Sequence, residues 1–204
     1  LAEVEGQVAP VFQNIKNYKK LDNQERSLFA YFLALMMTRV PNFRENVERI
    51  EAEISRLCLE GRSGVAVEVN PQFSLAIALS QPKSLAPIFF NMKWMFLIAT
   101  DDYKFVTSDN PLFYCDPTHD PRSIYGVGLA NKNVEVTFPI SKDLTFFGTW
   151  KEIKEGYEKA NNNLVKKVNR RTVISTLRFV FSSEKSDALN RFVQKYKASA
   201  PKIK

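Results

Sequence analysis

The spacing of apolar residues changes near Lys93, and this change constrains the fold more than any other feature of the sequence. Before Lys93, apolar residues recur every three or four positions, as one buried face of a helix requires. After it, short aromatic and β-branched runs alternate with turn residues, which is typical of strands. Because helices precede strands instead of alternating with them, the pattern predicts an α+β fold. We expect a helical layer (residues 1–92) packed on a mostly antiparallel sheet, with the sheet and long C-terminal helices in residues 93–204.

The N-terminal part of the helical layer is predicted to be a helical hairpin. Asp22 or Asn23 caps its first helix, which ends near Arg39 because Pro41 disfavours helix at the residue before it. Two internal prolines keep the later helical pieces short or kinked. The buried face of the first helix is predicted to include Leu28, Phe32 and Leu35. The predicted helices of this half cover residues 22–39, 42–59, 71–79 and 84–91.

The second half is predicted to combine strands, one long surface loop and two helices. Residues 116–133 are rich in Pro, Gly, Asp and Asn, so we expect a loop there. The two C-terminal helices are predicted at residues 154–177 and 185–196. The predicted strands cover residues 94–99, 104–107, 112–114, 134–139, 144–150 and 178–181.

Asp109 lies in a polar turn, Thr107–Pro111, between two apolar runs, and it has two candidate roles. Its carboxylate either accepts backbone N–H bonds and fixes the bend, or binds a metal, orients a base or pairs with an arginine. Arg39, at the end of an apolar helix, either bonds the last carbonyl groups or reaches a carboxylate or phosphate. An Arg39–Asp109 ion pair would fasten helix to sheet, whereas a joint anion site would make both residues catalytic.

Six further polar residues are candidates for a structural or binding role. No complete catalytic pattern accompanies them, since the only histidine, His119, lies in the long loop and a catalytic triad has little support. The carboxylates show no metal-ligand spacing, so no metal site is predicted. The six residues are Thr107, Ser108, Asn110, Arg44, Asn169 and Arg178.

The positive charge of the chain is concentrated at its C-terminal end. Residues 151–204 hold 14 Lys/Arg and five Asp/Glu, a balance of +9, whereas the whole chain carries +7. Within this region four cations share one face of a predicted helix, while Val165 and Val168 point inward. Such a face either is simply solvated or binds a polyanion such as nucleic acid through its backbone charge, and no aromatic residue interleaves it in sequence. The four are Lys166, Lys167, Arg170 and Arg171.

Composition excludes several classes of protein. The length of 204 residues suits one domain with a sizeable core, so we interpret residues 1–204 as a single α+β domain. Only seven glycines are present, without a GxGxxG or a P-loop, so the usual nucleotide motifs are missing and no cofactor is identified. Cys58 and Cys115 form no metal motif and are interpreted as reduced, structural residues of a cytoplasmic protein. The apolar runs are too short to span a membrane.

Four stretches, in this order along the chain, resemble one bacterial family, the domain of unknown function 4238 family. The first is an apolar helix closing in Arg-x-Pro-x-x-Arg at residues 39–44, and the second runs from Met92-Lys93-Trp94 to the turn at Pro111. The third is Phe-Pro-Ile-Ser at residues 138–141, and the fourth is Val-Asn at 168–169 followed by residues 177–182. The family usually begins with a His-x-Val-Pro-like element, which does not precede Leu1, so we expect the chain as given to lack that histidine. The resemblance implies no established reaction.

Two hypotheses of function follow from these observations. The first is a non-catalytic binding or assembly module, in which the Arg and Asp residues fasten helix to sheet and which would form a stable complex without nucleic acid. The second is a nucleic-acid-directed, nuclease-like hydrolase, with Asp109 and Arg39 at its site and the basic helix holding the strand. The sequence favours the first, because no complete catalytic constellation is visible.

Overall fold

The computed structural model describes residues 2–40, 56, 71–119 and 127–197. Helices dominate the first half of these residues, and a sheet followed by two more helices forms the second half. The helices are α1 (Ala2–Lys16), α2 (Asn23–Thr38), α3 (Pro71–Asn91), α4 (Asn162–Ser175) and α5 (Asp187–Lys197). The strands are β1 (Lys93–Ile98), β2 (Thr107–Ser108), β3 (Phe113–Cys115), β4 (Glu135–Ser141), β5 (Leu144–Thr149), β6 (Gly156–Lys159) and β7 (Val180–Phe181). The predicted α+β class is confirmed.

The main sheet has five strands in the order β3-β4-β5-β1-β6. The pairs β3–β4, β4–β5 and β5–β1 are antiparallel, and only β6 runs parallel to its neighbour β1. The sheet is therefore mostly antiparallel, as expected. The short strands β2 and β7 form a separate antiparallel pair, with Thr107 opposite Phe181.

An aromatic core joins the helical layer to the sheet. Phe29 of α2 is fully buried at its centre, and its ring packs against aromatic rings from α1, α2 and the strands β1 and β5. Perpendicular and tilted ring pairs of this kind add stabilisation to the burial itself. The rings in contact with Phe29 are those of Phe12, Phe32, Trp94, Phe96 and Phe146.

Helix α2 begins and ends close to its predicted bounds. Asp22 is its N-cap and forms a capping box with Glu25, in which each side chain accepts the other residue's backbone N–H. The predicted burial of Phe32 is confirmed, since only 8% of it is exposed. Leu28 and Leu35 are half-buried, because the fully buried face is centred on Phe29 and Leu33.

Helix α1, which was not among the predicted elements, completes the helical layer. Val8, Val11 and Ile15 are buried in the core, on one face of the helix. Pro10 lies within the helix, which continues to Lys16. Phe12 of the same helix packs against Phe29 and Phe32 of α2, so α1 belongs to the same core.

The predicted helices at residues 71–91 and from residue 154 differ from the structure. Helix α3 runs unbroken through Pro82 and Pro87, along α2, where two separate pieces were predicted. The helix predicted from residue 154 begins only at Asn162, because residues 156–159 pair with β1 and Tyr157 stacks on Phe96. The predicted helix at residues 42–59 lies outside the described residues, apart from Arg56.

Within the described part of the chain, no helix has the length and apolar character needed to cross a membrane.

Candidate functional site

Asp109 binds the chain segment that follows α4. Its Oδ1 accepts the N–H of Leu177 at 3.0 Å, and its Oδ2 accepts those of Arg178 at 2.7 Å and Phe179 at 3.1 Å. Its own N–H donates to the carbonyl of Phe179 at 3.1 Å. Three consecutive N–H groups therefore surround one carboxylate, an arrangement that suits an anion. The hydrogen bonds of the carboxylate therefore join the turn after β2 to the segment that leads into β7.

Asn110 and Ser175 continue this connection with a reciprocal pair of hydrogen bonds. The Asn110 Nδ2 donates to the Ser175 carbonyl at 3.0 Å, and the Ser175 Oγ donates to the Asn110 carbonyl at 3.0 Å. The buried Ser108 Oγ accepts the N–H of Asn110 at 3.2 Å. Asn110 thus connects the turn after β2 to the C-terminal end of α4, and Ser108 forms a hydrogen bond within that turn.

Asn169 connects the middle of α4 to the chain before β2. Its Oδ1 accepts the N–H of Val106 at 3.1 Å, and its Nδ2 donates to the carbonyl of Lys104 at 2.8 Å. The side chain thereby satisfies two backbone groups that a neighbouring strand would otherwise bind. This is why the strand predicted at residues 104–107 is only Thr107–Ser108 in the structure. Asn169 is 6% exposed and belongs to the framework of the fold.

Arg39 does not pair with Asp109, so the predicted ion pair is wrong. Its Nη1 lies 3.3 Å from Glu5 Oε1 of α1, and both side chains are about half exposed. Backbone N–H groups occupy both oxygens of the Asp109 carboxylate, and the guanidinium of Arg39 has Glu5 as its partner instead. Arg178 is exposed, and only its backbone N–H bonds to the Asp109 carboxylate. Arg44 lies outside the described residues.

Arg26 fastens the helical layer to the sheet, a role that sequence analysis missed. Its Nε and Nη2 donate to the carbonyls of Phe90 and Met92, at 3.1 and 2.6 Å. Its Nη1 lies 3.0 Å from Glu155 Oε1, and its guanidinium is 4.2 Å from the centroid of the Trp94 ring. Nothing in the sequence marks this residue, because an arginine in the first turn after a cap resembles any solvated helical residue.

Glu155 completes that arrangement by accepting the N–H of Trp94 at 2.8 Å. Burial alone would raise the pKa of Glu155, but the Trp94 N–H and the Arg26 guanidinium outweigh it and lower the pKa below its ordinary value. The carboxylate is therefore held in its charged form at the end of α3.

The predicted basic face of α4 is divided in the structure. Lys166, Lys167 and Arg170 are exposed, and Val165 and Val168 are buried as expected. Arg171 was predicted to be exposed, and this is wrong: it is 7% exposed and binds the carboxylate of Glu135 on β4. Packing of α4 against β2 and β3 leaves Arg171 next to Glu135 at the start of β4, and a buried arginine requires such a partner.

Aromatic rings lie beside the exposed cations of α4, although none interleaves them in sequence. The Lys166 Nζ is 4.2 Å from the centroid of the Tyr103 ring, and the Arg170 Cζ is 4.9 Å from that of Tyr196 on α5. Cation–π contacts of this kind fix the positions of otherwise mobile side chains. The fold thus supplies the alternation of charge and rings that the sequence did not reveal.

A cleft of about 680 Å³ opens between α4, α5 and the loop before β2, and we call it the α4–α5 cleft. Its apolar wall includes Val106, Leu189 and Phe192, and the Lys166 side chain reaches its rim. Lys104 also lines it, with its Nζ 2.9 Å from Asp143 Oδ1. That hydrogen bond raises the pKa of Lys104. Three carboxylates lie in the lining as well: Asp101, Asp102 and Glu184.

The remaining sequence candidates are not assembled into a reactive group. His119 is half-buried in the loop after β3, and its N–H donates to the Asp116 carbonyl at 3.1 Å. Cys115 is a free thiol whose pKa is raised by burial, and Cys58 lies outside the described residues. Among the described residues, no group of three or more His, Cys, Asp or Glu side chains is placed to hold a metal ion.

Comparison with known proteins identifies a family. The family model described as "Protein of unknown function (DUF4238)" matches residues 1–186, so it covers the helical layer, the sheet and α4 and ends just before α5. Neither a curated protein nor a solved structure matches the chain. A match over this share of the sequence shows the family, and the chain belongs to the DUF4238 family.

Proposed function

We propose that the chain is a non-catalytic binding module that holds nucleic acid by its phosphate backbone. The binding surface consists of the exposed Lys and Arg residues from α4 to α5, and we call it the basic surface. The observation that carries this proposal is the density of charge there. Residues 162–197 contain nine Lys/Arg and two Asp/Glu, and eight of the nine cations are exposed. The basic surface comprises Lys166, Lys167, Arg170, Arg178, Lys185, Arg191, Lys195 and Lys197.

Charge of this density favours a polyanion over an ordinary protein partner. A duplex or single strand carries closely spaced phosphates, and each one neutralised by Lys or Arg releases a condensed counterion. The contacts of Lys166 with Tyr103 and of Arg170 with Tyr196 support the proposal, because they hold two of the cations in place before a ligand arrives. Backbone contacts of this type position the ligand and carry little sequence information.

The proposal that the module is non-catalytic is supported by the partners of Asp109 and Arg39, the two predicted catalytic residues. Both oxygens of Asp109 accept backbone N–H groups, and the guanidinium of Arg39 pairs with Glu5. A nuclease that used Asp109 would need this carboxylate to be free to bind a metal or to position a water. Among the described residues, no observation therefore favours the nuclease-like alternative.

Fluorescence anisotropy with short labelled DNA and RNA tests the proposal. The variant replaces Lys166, Lys167 and Arg170 by Gln, which removes three charges from the basic surface. The matched control replaces Lys16, Lys19 and Lys20 by Gln, which removes three exposed charges from the end of α1 and the turn after it. We expect the first variant to weaken binding and to reduce the slope of log K against log salt by about two to three.

The control variant should retain the wild-type affinity and the wild-type slope. Equal losses of affinity in the two triple variants would mean that binding depends on net charge alone. The basic surface would then not be the binding site. No binding of DNA or RNA at low salt would overturn the proposed function and favour an assembly module with a protein partner. Thermal melts of all three proteins confirm that each is folded.

A further inference from the structure

We infer that the α4–α5 cleft receives an unpaired nucleobase, so that the chain prefers single-stranded nucleic acid to a duplex. This inference rests on the proposed function, since the basic surface supplies the affinity for the strand. The cleft and the basic surface share one residue, Lys166, which lines the cleft and is exposed on α4. A strand bound along α4 would therefore pass the mouth of the cleft.

The size of the cleft suits a guest of nucleotide dimensions. Its volume of about 680 Å³ lies within the range of pockets that enclose small organic ligands. A base within a duplex must leave its stack and its partner before it can enter such a cleft, whereas a base in a single strand is already free to do so. Because the base must enter the cleft to bind, we expect the protein to prefer single strands to a duplex.

The charge inside the cleft distinguishes a base from a phosphate as the guest. Three carboxylates line it against two lysines, and the ammonium of Lys104 is engaged by Asp143. A phosphate would be repelled by this lining. A nucleobase is uncharged, and carboxylates accept hydrogen bonds from amino groups such as that of cytosine. The phosphate attached to the bound nucleotide would lie outside, at Lys166 on the rim.

An aromatic ring is available in the cleft for stacking. Phe192 of α5 is half-buried in its apolar wall, and its ring packs edge-on against Tyr196 at 4.7 Å. Tyr196 in turn lies against Arg170 of α4. Base–aromatic stacking tolerates every base, because each has a π-face. Phe192 is therefore the residue that we expect to contact the base.

The test compares a labelled oligocytidylate with the same strand in a duplex, for the wild-type protein and two matched variants. Phe192→Leu keeps an apolar side chain in the wall of the cleft but removes the π-face. Phe181→Leu makes the same change at an aromatic residue that is 53% exposed and lies outside the cleft. We expect Phe192→Leu to weaken single-strand binding by roughly 5-fold to 100-fold and to leave duplex binding unchanged.

The Phe181→Leu variant should bind both probes as the wild type does. Equal affinity of the wild type for strand and duplex, or unchanged single-strand binding by Phe192→Leu, would overturn the inference while leaving the salt-dependent binding of the proposed function intact. Parallel losses in both Phe variants would place the stacking contact outside the cleft and would also overturn it. If neither probe binds the wild type at low salt, the proposed function fails and the inference fails with it.

Discussion

Arg26 and Glu155, which are 129 residues apart in the chain, form an ion pair of 3.0 Å that joins α2 to the residues just before β6. The guanidinium also binds two carbonyl groups at the end of α3 and lies over the ring of Trp94. One side chain therefore connects two helices and the sheet. The contact with the ring adds a cation–π attraction to the hydrogen bonds.

Replacement of Arg26 by Ala should lower the free energy of unfolding by about 1–3 kcal/mol, because two carbonyl groups and the Glu155 carboxylate lose a partner. Chemical denaturation of the variant measures the change. Arg39→Ala is the matched control, since its ion pair with Glu5 is about half exposed and should contribute less than about 1 kcal/mol. Equal effects of the two substitutions would contradict the central role of Arg26.

The Arg26–Glu155 pair should also make stability depend on acid pH. The pKa of Glu155 lies below its ordinary value of 4.5 in the folded protein, so the unfolded chain binds a proton more readily. Its contribution is complete above the unfolded pKa and is lost as the pH falls through the folded pKa. The stability difference between the wild type and Glu155→Gln should therefore shrink between about pH 6 and about pH 3. Denaturant titrations across that range measure it, and a constant difference would argue against the shift.

Asp109→Ala should lower the free energy of unfolding by about 1–3 kcal/mol, because three backbone N–H groups lose their acceptor. Asp109→Asn is the informative companion, since it retains one oxygen and places an amide donor against the remaining N–H groups. We expect its stability to fall between those of Ala and the wild type. An unchanged denaturation midpoint for Asp109→Ala would remove the structural role and return attention to a functional one.

Phe32→Ala should cost about 3–5 kcal/mol, as truncation of a buried aromatic side chain leaves a cavity in a close-packed core. Phe32 packs edge-on against Phe12 at 5.2 Å and against Phe138 at 5.9 Å, so three elements lose contacts at once. Leu28→Ala, at a half-buried position of the same helix, serves as the control and should cost less. Thermal or chemical denaturation of both variants decides whether the predicted phase of α2 is correct.

Local patterns predicted the parts of the fold that depend on neighbouring residues. The cap at Asp22, the burial of Phe32 and the inward positions of Val165 and Val168 all follow from helical spacing. The partners of charged residues did not follow, because periodicity gives the face of a helix and not what lies opposite. Arg171 belongs by spacing to an exposed face, yet the packing of α4 against β2 and β3 sets it against Glu135.

Periodicity also could not give the partners of Asp109 and Arg39. Opposite charges suggest a pair between Asp109 and Arg39, but the carboxylate accepts the N–H groups of residues 177–179 and Arg39 pairs with Glu5. Strand β6 was assigned to a helix, since only its pairing with β1 distinguishes it. Long-range pairing of this kind leaves no periodic trace in a segment of four residues.

Helix α5 has an amphipathic pattern but no fully buried residue, and it contacts the rest of the described chain through one half-buried face. The free energy of opening such an element is small compared with that of the whole molecule, because few apolar contacts must be broken. Its amides should therefore exchange with deuterium well before those of α4, whose Val165 and Val168 are fully buried. The α4–α5 cleft would then have one rigid wall, α4, and one wall that opens and closes, α5. A long strand could therefore enter the cleft from the side, and neither end of the strand would have to pass through it.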